Sequence, residues 1–303
     1  MDPIDIQNLL LRNDSLFNHL HVIEQEFDIV PASKHFGMAV NYTDISPQRR
    51  GFICELVNTA VDWVYGKAKQ EAIYQQLIKE GRSIGSASAE LVRSTHSKFR
   101  KSENANLLNG QFGELLLSNC IQRFMSAVPV LRKMPIATDA MHERFGADAI
   151  HYKKSGDTHA FYLGEAKSYK SPYKFNVAFE DALTSILGTY ASLDTELRSY
   201  LYEDFIEPEL QTVVDQLVRG TLKNTKMNLV SIVAYNETKE ITGECEADIK
   251  RCIETIIRDR FVGFDNNKIK IGENMILNRI TYIVFPIWEF DKLLDEFASL
   301  IMK

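Results

Sequence analysis

The stretch GADAIHYKKSGDTHAFYLGEAKSYK, residues 146–170, holds two strand-like runs, GADAIHYKK and AFYLGEAK, with a turn signal around Gly156 and Asp157 between them. The second run is apolar at Phe161 and Leu163, then carries Glu165 and Lys167 at the next alternate positions. Side chains two apart on a strand leave the same face, roughly 7 Å apart along it. Apolar residues therefore give way to a carboxylate and an ammonium at the strand's C-terminal end. A hairpin turning at Gly156 and Asp157 sets Asp148 opposite Glu165 and His151 opposite Tyr162. Facing residues in an antiparallel pair point to one side with Cβ atoms about 5 Å apart. A slip of one residue would send Asp148 to the other face.

Two carboxylates held face to face repel unless a cation lies between them. Oxygen ligands suit Mg²⁺ or Mn²⁺ better than zinc, and such an ion keeps several of its waters. Asp148, Glu165 and the backbone carbonyl of Ala166 are the expected protein ligands. Glu114, in GQFGELLL on the preceding predicted helix, is a further candidate, directly or through water. A divalent ion there lowers the pKa of a bound water and stabilises charge on a phosphoryl transition state. Lys167 is placed to orient that water or to neutralise a phosphate oxygen. The expected catalytic set is Glu114, Asp148, Glu165 and Lys167. Lys170 and Lys174, in KSYKSPYK, are candidate contacts to nucleic-acid phosphates.

Upstream, HFGMAVNY reads as a strand and residues 49–80 as a helical run with Ile53, Leu56, Val57, Ala60, Val61 and Val64 in helical register. Ser86 or Ser88 is expected to start another short helix. Residues 106–125 read as a helix and VPVLRKMPI as a short strand before the hairpin. Beyond it, Pro172 interrupts pairing, residues 174–193 form an amphipathic helix, and a second helical segment covers about 194–222. MNLVSIVAYNE and TYIVFPI are strands, with helices near 246–261 and 289–302. The order from residue 107 is helix, three strands, helix, strand, an α/β arrangement with a mixed sheet.

The chain has 303 residues, 45% hydrophobic, with a formal net charge of −6. That composition supports a large folded core and excludes a disordered chain. No apolar run approaches the ~18 residues of a membrane span, and MDPIDIQNLLLRND does not read as a secretory signal. Cys54, Cys120, Cys245 and Cys252 lack CxxC spacing and are expected as reduced thiols in a cytoplasmic protein. The acidic balance weighs against nonspecific binding of long nucleic acid, although a local basic groove overrides net charge. GxxxxGK[ST] and GxSxG are absent, so neither P-loop nor serine-hydrolase chemistry is expected. His142, His151 and His159 flank the motif without the spacing of a histidine metal site.

An acidic residue on one strand (Asp148), Glu-x-Lys on the next (Glu165, Ala166, Lys167) and a helix after them resemble the PD-(D/E)xK nuclease superfamily. The order αβββαβ is similar to its common core, and Glu114 falls at the position of its first-helix glutamate. No proline precedes Asp148, a departure that many members share. HERFGADAIHY and FYLGEAKSYKSPYKFNVAFEDAL further resemble the nuclease component of the Hachiman anti-phage defence system, the HamA-like proteins that include the AbpA type. The resemblance implies a restriction-endonuclease-like core over residues 106–240. An N-terminal, mainly helical extension (1–105) and a C-terminal α/β extension (241–303) flank it. It also implies a Mg²⁺- or Mn²⁺-dependent deoxyribonuclease controlled by a superfamily 2 helicase, HamB- or AbpB-like. Two alternatives stay open: a non-catalytic subunit that binds DNA or a helicase, and a nuclease acting on RNA or repair intermediates.

Overall fold

The computed structural model describes residues 6–11, 13–99, 105–131, 146–171, 175–201 and 206–302. Along the chain they form α1 (Asp14–Asn18), β1 (Leu20–Glu26), β2 (Lys34–Val40), β3 (Tyr42–Thr43), β4 (Ser46–Pro47), α2 (Arg49–Asn58), α3 (Ala60–Val64), α4 (Lys67–Lys79) and α5 (Ile84–His96). Next come α6 (Ala105–Cys120), β5 (Val128–Pro129), β6 (Ala149–Ser155), β7 (Thr158–Tyr169), α7 (Phe175–Tyr200) and α8 (Gln211–Val218). β8 (Thr225–Asn236), α9 (Glu246–Val262), β9 (Ile280–Ile287) and α10 (Phe290–Ile301) follow.

β3 and β4 pair with each other, and the remaining strands make one seven-stranded sheet in the order β1-β2-β9-β8-β7-β6-β5. β2, β9, β8 and β7 run parallel; β1 pairs antiparallel with β2 at one edge, and at the other β6 pairs antiparallel with both β7 and β5. The sheet is mixed, as expected. Its strands come from all three expected segments, so the N-terminal and C-terminal extensions build the sheet together with the central one.

Parallel strands buried on both faces need apolar residues on both, and β8 supplies them. Leu229, Val233 and Tyr235 face one layer, and Val230, Ile232 and Ala234 the other. On the first face α7 (Ala178, Phe179, Ala182, Ile186) and α9 (Ile253, Ile257, Phe261) cover Phe161, Leu163, Val233 and Val284. On the second, α6, α2 and α10 bury Phe112, Phe52 and Phe297 over Ile232, Ile283 and Phe285. Phe112 touches Phe290 and Phe297 with ring centroids 5.7 and 5.5 Å apart. Each such side chain contributes about 1.5–3 kcal/mol through burial. α7 and α6 thus lie on opposite faces of β7, and both reach its carboxyl end.

The structure departs from the expected elements where local interactions interrupt a periodic pattern. The run 49–80 breaks into three helices. Thr59 turns its hydroxyl back to the Leu56 carbonyl at 2.7 Å, and the chain is extended at Tyr65 and Gly66. The following helix starts earlier than Ser86 or Ser88, because Ser83 caps it by accepting the Ser86 N–H at 3.3 Å. α7 continues through the expected break at 194, and α8 covers only Gln211–Val218 of the second segment. Of VPVLRKMPI, Val128 and Pro129 pair with β6 and Leu131 bridges to Ile206; residues 132–136 lie outside the described residues. β1 was not expected: its LHVIEQE sequence alternates charge into an edge position, where half-exposed polar residues are tolerated. Among the described residues, no helix is long and apolar enough to cross a membrane.

Candidate active site at the carboxyl end of β7

The hairpin pairs Ser155 with Thr158, His151 with Tyr162 and Ala149 with Gly164. Continued by one residue, this expected register sets Asp148 opposite Glu165. The Ala166 N–H donates to Asp148 Oδ2 at 2.8 Å. In a strand the N–H and C=O of one residue point to the same edge. The Ala166 carbonyl therefore also points toward the β6 side, past the last paired residue of β6. Open α/β sheets bind ligands at the carboxyl ends of their parallel strands, and the cluster occupies that end of β7.

Glu165 shares its face with Phe161 and Leu163 and is only 3% exposed. Two donors hold its Oε1: Lys167 Nζ at 2.8 Å and Ser185 Oγ, from α7, at 2.6 Å. Burial pulls the Lys167 pKa down, but Glu165, then Asp148 and Asp181, outweigh it and leave the amine above its usual value. Lys167 is thus a firmly charged cation at the mouth of a buried carboxylate.

Asp148 is the opposite case. Its carboxyl is driven well above the usual range by burial first, then by the charges of Glu114 and Glu165, against the Ala166 N–H and Lys167. Glu114 comes close because of the residue before it. A Cβ on Gly113 would meet Ser168 Oγ at 2.9 Å and Ala166 Cβ at 3.2 Å. With hydrogen there instead, α6 lies directly on β7 and carries the half-buried Glu114 toward Asp148. The donor set is all oxygen, and the mutual repulsion of its carboxylates favours a cation. Among the described residues no three His, Cys, Asp or Glu side chains are arranged to hold an ion by themselves. The arrangement fits a hydrated Mg²⁺ or Mn²⁺ held by two carboxylates and the Ala166 carbonyl, with waters completing the shell. It does not fit a closed zinc-type cage.

Residues 14–301 match the family model for HamA. The chain belongs to the HamA family. Membership makes it a component of a Hachiman anti-phage defence system, which includes a partner. A comparison with curated proteins gives no match. The matched span is wider than residues 106–240, the core that the motif-based resemblance implied.

In this HamA-family chain the remaining sequence candidates among the described residues fall away from the carboxylates or are engaged elsewhere. Lys170 pairs with Asp291 at the start of α10, 3.0 Å away. Lys174, His142 and Pro172 lie outside the described residues. His151 is buried on the α6 side, with Nε2 3.4 Å from Ser118 Oγ. His159 sits near the hairpin turn, its Nδ1 2.7 Å from the Tyr152 hydroxyl. Neither histidine joins the carboxylates.

Sequence reasoning missed the contribution of α7. Ser185 braces Glu165, Asp181 adds charge near Lys167 and accepts a bond from the Tyr169 hydroxyl, and Glu196 bonds the backbone just before Asp148. The available signal was polar residues at core spacing: Ser185, Thr189 and Glu196 interrupt the apolar stripe of α7, and Thr189 and Glu196 are buried.

Proposed function

We propose that this HamA-family protein is a Mg²⁺- or Mn²⁺-dependent DNA nuclease on a PD-(D/E)xK core, with its partner helicase controlling access to DNA. The observation that carries the reading is the pair of contacts just past the end of the β6–β7 pairing, where the Ala166 N–H donates to Asp148 and Lys167 bonds Glu165. Asp148, Glu165 and the Ala166 carbonyl would hold the ion, with Glu114 behind them. The ion would supply Lewis acidity and an acidified water. The chain's own residues do the rest. Ser185 and Lys167 fix one oxygen of Glu165 and leave the other to the site. The Lys167 ammonium is available to a phosphate oxygen or to the attacking water, where a preorganised donor in a dry site is worth most.

The test incubates plasmid and linear DNA with the purified chain and its partner, in Mg²⁺ or in EDTA. Cleavage should need the metal and disappear in the double variant Glu165→Ala, Lys167→Ala. Cleavage that survives the double variant would reject the site. RNA and branched DNA in the same panel separate the substrate classes.

A second reading, a non-catalytic binding subunit, is favoured by the lack of a three-side-chain metal cluster among the described residues. Mn²⁺ titration calorimetry discriminates. A nuclease should bind Mn²⁺ and lose it on Asp148→Ala, whereas a binding subunit should take up no ion in either form.

A further inference from the structure

Asp148 lies one residue outside the paired part of β6, so the sheet ladder does not fix it. Two hydrogen bonds bracket it instead. On one side the Ala166 N–H meets its carboxylate at 2.8 Å. On the other, the N–H of Ala147 donates to Glu196 Oε2 at 3.0 Å. Glu196 comes from α7 and is only 7% exposed. The contact is closely built. Gly146 has φ +123°, and a Cβ there would lie 2.3 Å from the Glu196 carboxyl carbon. No side chain fits between that carboxylate and the backbone. Burying a carboxylate is costly unless donors are aimed at it, and one donor here is the residue next to Asp148.

Ser185 and Glu196 are eleven residues apart, about three helical turns, and so leave the same side of α7. One rigid helix thus reaches both carboxylates of the site. It braces Glu165 through a hydroxyl and the backbone beside Asp148 through a carboxylate. We propose that Glu196 is a positioning residue, which holds Asp148 at its distance from Glu165 by anchoring Gly146 and Ala147. The inference deepens the proposed function and rests on its reading of Asp148 as a metal ligand.

Both reporting N–H groups belong to alanines, so one sample of the full chain labelled with ¹⁵N-alanine follows them by amide exchange, with Ala160 on the same strand as control. Glu196→Ala should speed exchange at Ala147 and also at Ala166, while Ala160 keeps its wild-type rate. Loss of stability alone would raise all three. Mn²⁺ affinity should fall about 10–100-fold, the usual effect of removing a group that orients a ligand. Glu196→Gln, which keeps an acceptor oxygen, should restore most of both. A folded Glu196→Ala chain in which Ala166 exchanges at the wild-type rate overturns the inference. If Glu196→Ala does not fold, Glu196→Asp, one methylene shorter, is read in the same way. A wild-type chain that binds no Mn²⁺ would overturn the metal reading of the site, while the Ala166 comparison would still decide the role of Glu196.

Discussion

β7 and β8 lie side by side and run the same way; β7 carries the buried Glu165 in its last third and β8 is followed by the buried Glu237, each paired with a cation. At the end of β8 both oxygens of Glu237 are engaged. Arg260 donates from Nη2 at 2.6 Å and from Nε at 2.9 Å, the Tyr235 hydroxyl at 3.0 Å, and the N–H groups of Thr238 and Lys239 at 2.8 and 2.9 Å. Burial would raise its pKa, but Arg260 and those two N–H groups outweigh it and hold the carboxyl below its usual value. At the end of β7, Glu165 takes Lys167 and Ser185 on a single oxygen. Its neighbour Asp148, repelled by Glu114 and Glu165, is pushed the other way. The same pairing of a buried acid with a base is a closed structural clasp in one strand and an unbalanced, acid-rich cluster in the next. A fold gains nothing from surplus carboxylates at a buried strand end, and the proposed metal ion would offset that imbalance.

The comparison breaks first at the clasp. Arg260→Ala leaves Glu237 buried without its main partner and should cost about 3–5 kcal/mol, as removing one half of a buried pair does. Urea unfolding measures it, and DNA cleavage per folded molecule should stay at wild type. Loss below about 1 kcal/mol would mean that the clasp is no tighter than a surface pair. At the other strand, Lys167→Met should reverse the pattern. Cleavage should fall about a hundredfold or more, with a stability loss smaller than that of Arg260→Ala. Equal stability losses with unchanged cleavage would erase the distinction between the two ends.

The finest discrimination comes from pH, where the two acids have opposite signs. Glu237 has a lowered folded pKa, so its stabilisation is present above its usual value of 4.5 and lost as pH falls through the folded value. Asp148 has a raised one, so its stabilisation is present below its usual 3.8 and lost as pH rises through the folded value. In metal-free buffer, Asp148→Asn should therefore raise the urea midpoint at neutral pH and leave it unchanged in acid. Glu237→Gln should lower it at neutral pH and converge on wild type in acid. Shifts of the same sign at neutral pH would contradict the contrast.

The hairpin was legible in the sequence because its information is local. A two-residue turn and a period of two are enough to expect Asp148 against Glu165, and the observed pairing runs in that register up to Ala149 and Gly164. The brace on Glu165 and the anchor beside Asp148 were not legible. Ser185 lies 20 residues from Glu165, and Glu196 lies 49 from Ala147. Only the angle at which α7 crosses the sheet brings them together. Glu237 and Arg260 were missed for the same reason: a helix had to fold back over β8 before their spacing had meaning. β1 escaped because Glu24, Gln25 and Glu26 dilute its apolar signal, and it is β2 that specifies its place.

β9 sits between β2 and β8, although more than two hundred residues separate it from β2 along the chain. A fragment truncated before β9 would leave two long, apolar parallel edges without a mate, the kind that template aggregation. Trimming this protein from the C-terminal side would therefore yield insoluble material, not a smaller folded protein. A fusion partner is better placed on the outer edge, at β1 or β5, than anywhere that disturbs the middle of the sheet.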